Sequence, residues 1–366
     1  MAGLLTVITN TQEPRVHRYT RELLDRAQRR HGRDSSAFRG IWNQYFRMPT
    51  TTPGVARSDR HYHALGDLPP GVERLYRRVA VVDLVTACAS ECVFCIRGLY
   101  EPHTLSRQEM DAIADYLGGD PELSEVLVTG GDPLIAPAKL ADLLSRIATA
   151  APNIRSVRIG TRLPVQNPPG VDEQLDDLFR EHARRFRFEI ALQVNHPFEL
   201  QDETVGVLDR LTACGVRVYS QNVLLKNVND DLDTLVDLYD RLRELGVDPH
   251  YLFHAVPMVG TDDFRTSVRR GLDLAQQLSS SGRLSGLGKP MFTVMTDIGK
   301  VTLYDGSILS EHDGIVTFRT AYRLADRLCW NPGYRLPDSA TLNEHGTIDV
   351  RYVDGTDGTD HGTETR

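Results

Sequence analysis

Cys88, Cys92 and Cys95 lie in the segment TACASECVFCIRGLY, spaced C-x3-C-x2-C, and account for three of the chain's five cysteines. Three thiolates at that spacing predict ligands for three corners of a cubane iron–sulfur cluster, with one iron left open to an outside molecule. A zinc ion is the competing occupant, but it normally takes a fourth Cys or His, and no C-x2-C pair lies downstream. A disulfide framework would leave one of three close cysteines odd. Cys214 in DRLTACG and Cys329 in RLCW read as buried, small apolar residues.

A cluster loop needs a rigid mouth to hold it, and the surrounding sequence has the rhythm of one. Apolar, β-rich runs at 79–85, 125–129, 156–160, 187–194, 216–225 and 249–256 alternate with helical patterns at 106–117, 137–149, 172–184, 202–213, 231–245 and 266–279. Six strand–helix repeats predict an α/β fold with a parallel sheet, a partial (β/α)6-type TIM barrel carrying N- and C-terminal extensions. Polar motifs fall after successive strands, where such barrels keep their active sites: the cysteines, then GGDP, TR, NHP and, late in the fifth strand, Gln221. Residues 1–71 read as a helical and irregular extension, with a helix at 16–31, and 72–290 as the barrel. Residues 291–354 read as a β-rich segment closing the barrel's open side, and 355–366 as a disordered acidic tail.

Composition narrows the class. With 366 residues, 40% apolar and 25% charged, the chain is ordinary for a water-soluble globular protein. No run reaches the roughly 18 to 20 apolar residues that span a bilayer. The opening MAGLLTVITNTQEP has no basic stretch ahead of an apolar one, so the expectation is a cytoplasmic protein without a membrane anchor. A net charge of −8 argues against a general nucleic-acid binder. Lysine is scarce: Lys139, Lys226, Lys289 and Lys300 are the only four among 42 basic residues, which shortens the search for a nucleophilic amine.

The cysteine loop, with Phe94 just before its last cysteine, resembles that of the radical S-adenosylmethionine (SAM) superfamily. The resemblance implies a 4Fe-4S cluster on Cys88, Cys92 and Cys95, with SAM on its open iron. It also implies an external one-electron donor such as flavodoxin or ferredoxin, and a 5'-deoxyadenosyl radical as the reactive species. Gly130, Gly131 and Asp132 of GGDP resemble the superfamily's glycine-rich contact to SAM. The segments LVTGGDPLI, VRIGTRLPV, VNHPFEL, QNVLLKNVND, YLFHAVPMVGTDDFRT and PMFTVM are similar, in this order, to the strand ends of lysine 2,3-aminomutase and its relatives, over about residues 72–305. By position, His196 and Gln221 match residues that help hold SAM, and Arg97 matches the arginine that binds the substrate carboxylate, a task its planar fork suits.

The same resemblance implies pyridoxal 5'-phosphate (PLP), with Lys300 in TDIGKVTLYDG as its lysine and Arg74 and Arg78 of ERLYRR near its phosphate. Here the loop before Lys300 keeps only Gly299, where the family carries several consecutive glycines. The two aspartates that bind the distant ammonium of lysine are replaced by Val256 and Met295. An ammonium buried against them would lose several kcal/mol of solvation, so the expected substrate is an amino acid other than lysine, undergoing 2,3-amino migration. Asp262, Asp263 and Asp297 remain as alternative acidic partners. The competing reading is a PLP-independent deaminase, dehydratase or epimerase acting on a small polar metabolite. The family's C-terminal zinc cysteines have no counterpart beyond Cys329, so zinc is not expected, and oligomeric state is left open.

Overall fold

The computed structural model describes residues 14–47, 68–96, 103–258, 261–304 and 306–357. Its first elements are α1 (Arg18–His31) and α2 (Ser36–Tyr45), an antiparallel pair. Tyr19, Leu23 and Ala27 bury one stripe of α1, and Ser35 caps α2 through the amide of Phe38 at 3.1 Å. Leu23, Ile41 and Tyr45 form the small core between the two helices. The sequence reading covered α1 but left α2 undetected.

The main sheet begins with β1 (Val72–Glu73) and β2 (Val79–Val85), followed by α3 (Arg107–Gly119), β3 (Glu125–Gly130), α4 (Pro137–Ala150) and β4 (Ser156–Thr161). It continues through α5 (Leu163–Gln166), α6 (Glu173–His182), β5 (Arg187–Leu192), α7 (Asp202–Ala213), β6 (Arg217–Leu224), α8 (Leu232–Glu244) and β7 (Asp248–His254). It ends with α9 (Val268–Ser280), β8 (Met291–Thr296) and β9 (Gly299–Thr302). The nine strands lie in chain order; β2 to β8 are parallel, while β1 and β9 run antiparallel at the two edges. The result is a curled, open half-barrel. Alternation decides what each strand shows to either side. Val126 and Val128, Val157 and Ile159, and Ile190 and Leu192 are buried in the core beneath the helices. Glu125, Arg158, Glu189, Tyr219 and Tyr251 face the interior.

Helix starts follow local chemistry. Ser106 and Glu109 form a reciprocal capping box on α3, and Asp172, Asp231 and Ser267 each accept a backbone amide at the start of α6, α8 and α9. Such caps contribute typically about 1 kcal/mol each.

One expectation is corrected by the pairing. Residues 291–296 were read among strands covering the barrel's open side, but β8 is the seventh parallel strand, with Tyr251 opposite Met291. A second, separate sheet is formed by β10 (Ile308–His312), β11 (Ile315–Arg323), β12 (Ala340–Leu342) and β13 (Thr347–Val353), in the strand order β10-β11-β13-β12, with α10 (Leu324–Trp330) between β11 and β12. The start of the presumed tail is also anchored: Asp357 accepts from the amide and hydroxyl of Ser267, and the Thr356 carbonyl accepts from Lys226 at 2.9 Å. The rest of that tail lies outside the described residues.

Arg265 ties this sheet to the barrel. Its guanidinium is fully buried and donates to the carbonyls of Ala255, Val353 and Asp354. Replacing it by Met leaves three buried acceptors unmade, and Arg265→Met is expected to lose roughly 3 kcal/mol of stability. Urea unfolding measures this; a loss under about 0.5 kcal/mol would show that the carbonyls find other donors.

Candidate functional site

The cysteine loop leaves the C-terminal end of β2 and is gripped at once by the end of β3. The Val85 carbonyl accepts from the amide of Gly131, and the Ala87 carbonyl accepts from Asp132 at 2.8 Å. Both glycines of GGDP are required by this approach. A Cβ on Gly130 would meet the Val85 carbonyl oxygen at 2.2 Å, and its φ of +118° is one that side chains resist. A Cβ on Gly131 would meet the Ala87 oxygen at 2.1 Å. The backbone of this motif therefore holds the start of the cysteine loop at Val85 and Ala87, three residues and one residue before Cys88.

The Asp132 carboxylate is consumed internally. It accepts from Thr161 Oγ1 at 2.8 Å, from the amides of Arg162 and Leu163 at 2.7 and 2.9 Å, and from that of Leu134 at 3.1 Å. Burial lifts this carboxyl above its ordinary value while the four donors pull it back. As a SAM ligand, its side chain has no accepting capacity to spare; its part is to tie the end of β3 to the end of β4.

The N-terminal extension closes the other side of the loop. The Glu91 amide donates to the Arg15 carbonyl at 2.8 Å, and that of Val93 to the Gln44 carbonyl at 3.0 Å. Ser90 contacts Thr20 at 2.9 Å and accepts from the His17 amide at 3.0 Å. Its carbonyl accepts from Gln166. Phe94 is buried with Leu225, Val228, Ala255 and Phe264, which pins the second half of the loop to the ends of β6 and β7.

Arg162 joins these pieces and was missed as a site residue; the only signal for it was the TR motif on the rim. Its Nη1 donates to Cys92 Sγ at 2.8 Å, and its Nη2 donates to Glu199 Oε1 and Gln44 Oε1, both at 2.6 Å. Its guanidinium also lies over the rings of Tyr45 and Phe94. Glu199 is 0% exposed. Burial alone would raise its carboxyl, but Arg162 and the amides of Asn195 and His196 hold it below the ordinary range. Gln166 Nε2 reaches the same Cys92 sulfur at 3.4 Å.

The cysteines suit a metal cluster by their chemistry. Burial raises the Cys88 thiol well above its usual value, aided by Asp132 and by the thiols of Cys92 and Cys95. Burial likewise pushes Cys92 up to about 11, with Cys95 adding to the rise and Arg162 opposing it. Three mutually repelling sulfur donors on one loop form a set that cationic iron would stabilise. Among the described residues no group of three or more Cys, His, Asp or Glu is drawn together to cage a metal ion, so the fit rests on the donor set.

The remaining predicted residues are distributed unevenly. His196 is buried; its Nδ1 accepts from the Phe198 amide at 3.1 Å, which leaves the proton on Nε2, 3.0 Å from Ser36 Oγ. Burial holds its pKa down at about 4, so it is neutral, and both nitrogens are engaged within the protein. Gln221 is half-buried on β6 at a register shift, opposite Tyr251, and no described residue hydrogen-bonds its side chain. Arg97 lies outside the described residues. Arg74 and Arg78, expected near the cofactor phosphate, have different surroundings. Arg74 is buried against Asp120, Tyr116 and the Arg77 carbonyl and stacks over Trp330, while Arg78 is exposed beside Ser124. Their spacing matches the resemblance, and in this structure Arg74 is engaged by local partners while Arg78 faces solvent.

That amine is inside the barrel. Lys300 pairs with Met295 across β8 and β9, so its side chain shares Met295's face, and its Nζ lies 4.7 Å from the ring centre of Tyr251 and 5.4 Å from that of Phe253. Tyr76 accepts its amide at 3.2 Å and Tyr322 donates to its carbonyl at 2.7 Å, so the backbone is gripped from both sides. Burial, then the charge of Arg158, lowers its pKa to about 8 against a smaller opposing effect of Glu125. Arg158 is itself paired with Glu125 at 2.5 Å and Glu189 at 3.2 Å. Strand alternation put Arg158 on the interior face, but nothing in VRIGT marked it as a neighbour of Lys300. Asp263 pairs with Arg47 and Asp262 with Arg265, both at 3.6 Å, and Asp297 accepts from Ser339. All three alternative acids are thus engaged elsewhere.

A parallel half-barrel that presents a C-x3-C-x2-C loop at the carboxyl end of its first parallel strand has the architecture of radical SAM proteins. Comparison with known proteins narrows this. Two Aquifex aeolicus proteins provisionally named L-lysine 2,3-aminomutase are 35% and 31% identical to the chain, over 64% and 70% of its length. The matches cover 63% and 68% of those relatives. The L-lysine 2,3-aminomutase of Clostridium subterminale is 26% identical over 68% of the chain and 60% of its own length. The chain therefore belongs to the lysine 2,3-aminomutase-like family of radical SAM proteins, and spans a little under two thirds of the first of these relatives. No family model matches it. Among solved structures, a radical SAM methyltransferase from Sphaerobacter thermophilus aligns with a TM-score of 0.48 at 21% identity, over 64% of this chain and 70% of that one. No helix among the described residues is long and apolar enough to cross a membrane.

The clamp on the cysteine loop is testable. Gly131→Ala forces the Ala87 carbonyl aside, a crowding that typically costs about 1–3 kcal/mol, and should at least halve the iron retained per folded chain after anaerobic reconstitution. Iron and sulfide analysis beside a circular-dichroism check of folding provides the measurement. Wild-type iron content in a folded variant would show that the close approach is dispensable.

Proposed function

We propose that this protein is a radical SAM enzyme in which Cys88, Cys92 and Cys95 hold a 4Fe-4S cluster and the half-barrel encloses an amino acid other than lysine for 2,3-amino migration. When bound, the cluster with SAM would supply the hydrogen-abstracting radical, and PLP would supply the π system that stabilises the migrating nitrogen. The observation that carries this reading is the pairing of a clamped three-cysteine loop with a nucleophilic amine inside the same barrel.

Lys300 suits attachment of an aldehyde cofactor because its amine is held near neutrality and its approach is fixed by Tyr251 and Phe253. Val256 and Met295 favour an uncharged substrate side chain, since neither can replace the water an ammonium would lose. Arg97 remains the proposed partner for the substrate carboxylate, and Gln221 and His196 the proposed neighbours of SAM, His196 by packing rather than by a free nitrogen. A second reading, a PLP-independent radical SAM enzyme on a small polar metabolite, is favoured by one observation: the Arg74 guanidinium is already engaged by Asp120, Tyr116 and the Arg77 carbonyl. An external low-potential electron donor is required in both readings.

Two experiments test this. Anaerobically reconstituted, reduced protein should cleave SAM to 5'-deoxyadenosine, and deuterated SAM incubated with a panel of amino acids should pass label into one product; no cleavage by cluster-loaded protein would exclude the radical reading. Incubation with PLP followed by borohydride should label Lys300 at a rate that rises as pH passes about 8 and then levels. Ordinary lysines accelerate only as pH nears about 10.4. The sign follows from deprotonation: a lowered pKa frees the amine earlier. Peptide mass spectrometry locates the label, and equal labelling of Lys139, Lys226 and Lys289 would favour the PLP-independent enzyme.

A further inference from the structure

Among the described residues, hydrogen-bond donors converge on only one of the three cysteine sulfurs. Cys92 Sγ receives Arg162 Nη1 at 2.8 Å and Gln166 Nε2 at 3.4 Å, and both donors come from the short turn that follows β4. The guanidinium is oriented rather than merely nearby. One of its terminal nitrogens faces sulfur while the other faces Glu199 and Gln44, and the ring centres of Tyr45 and Phe94 lie 4.7 and 5.4 Å from its central carbon. Glu199 thus neutralises the buried cation from the far side, and the sulfur sees the positive end of a fixed dipole. Arg162 is 5% exposed, so little solvent screens that dipole.

Donors to a ligating sulfur draw electron density from an iron–sulfur cluster and favour the form with one more electron. Resting on the cluster proposed above, we propose that Arg162, assisted by Gln166, is a positioning and potential-setting residue: it fixes the Cys92 sulfur and raises the potential at which the cluster accepts one electron. The balance is a single electron passing from an external low-potential reductant to the oxidised cluster, with no proton transferred. This assigns the arginine of the rim's TR motif a redox part separate from SAM or substrate binding.

The test is a redox titration of anaerobically reconstituted protein with titanium(III) citrate, read by electron paramagnetic resonance of the reduced cluster, without SAM or substrate. Arg162→Met alone would strand a buried carboxylate, so it is combined with Glu199→Leu, which removes the dipole as a unit. At the potential where the wild-type cluster is half reduced, the double variant should show a reduced-to-oxidised ratio about tenfold lower, equivalent to about 59 mV for a one-electron couple. Gln166→Leu should shift the ratio in the same direction by less, and Arg162→Lys should recover most of the wild-type value. Unchanged ratios in the double variant with full iron occupancy would overturn the inference and leave the cluster assignment standing. If the double variant binds no iron, Gln166→Leu decides: a lowered ratio supports the inference and an unchanged one overturns it. A wild-type chain that holds no cluster overturns the functional reading and this inference with it.

Discussion

The rim of the barrel depends on one buried ion pair. Arg162 and Glu199 lie 37 residues apart on the ends of successive strands, and each is excluded from water. Neither charge would be tolerated alone at that depth, since removing one partner of such a pair typically costs about 3–5 kcal/mol. The pair is held by groups that also define the site: the Asp132 carboxylate fixes the Arg162 amide, Gln44 and Tyr45 bring α2 against the two charges, and Cys92 takes the remaining face of the guanidinium. Hydrogen-bonding capacity is nearly saturated, although Arg162 Nε finds no acceptor in this arrangement. Loop, extension and barrel share this one knot.

The barrel interior is organised on a different principle. Arg158 is compensated by two carboxylates, and Lys300, among the described residues, by none at hydrogen-bonding distance. Its amine rests on aromatic faces, which tolerate a cation without fixing its protonation. The backbone of its strand is hydrogen-bonded by hydroxyls from distant parts of the chain, Tyr76 beside the first strands and Tyr322 from the second sheet. A reactive side chain on a rigid backbone is the arrangement expected where a bond must be made repeatedly in one geometry.

Much of the scaffold was legible from the chain alone, because strands and helices that bury one face leave periodic signatures. The boundaries of β2 and α7 match the apolar patterns at 79–85 and 202–213. The seventh parallel strand was less visible. MFTVM looks the same whether its neighbour runs alongside or against it, and only pairing with β7 settles the direction. Site residues divided in a similar way. Cysteine spacing and GGDP are local, so they could be read. The partners of Arg162 are not local: Gln44 lies 118 residues away and Cys92 lies 70. For Arg74 the spacing could not show its partners, since Asp120 lies 46 residues away and Trp330 comes from the far end of the chain.

The clasp formed by α1 and α2 also has a temporal side. Those helices are the first part of the barrel's surroundings to be synthesised, yet the carboxylate that receives Gln44 and Tyr45 is residue 199. Until then the helix pair can meet only residues already made, Ser90, Glu91, Val93 and Gln166 among them. A chain arrested before residue 199 therefore has the cysteine loop and the clasp but lacks the carboxylate that fixes them to the barrel rim.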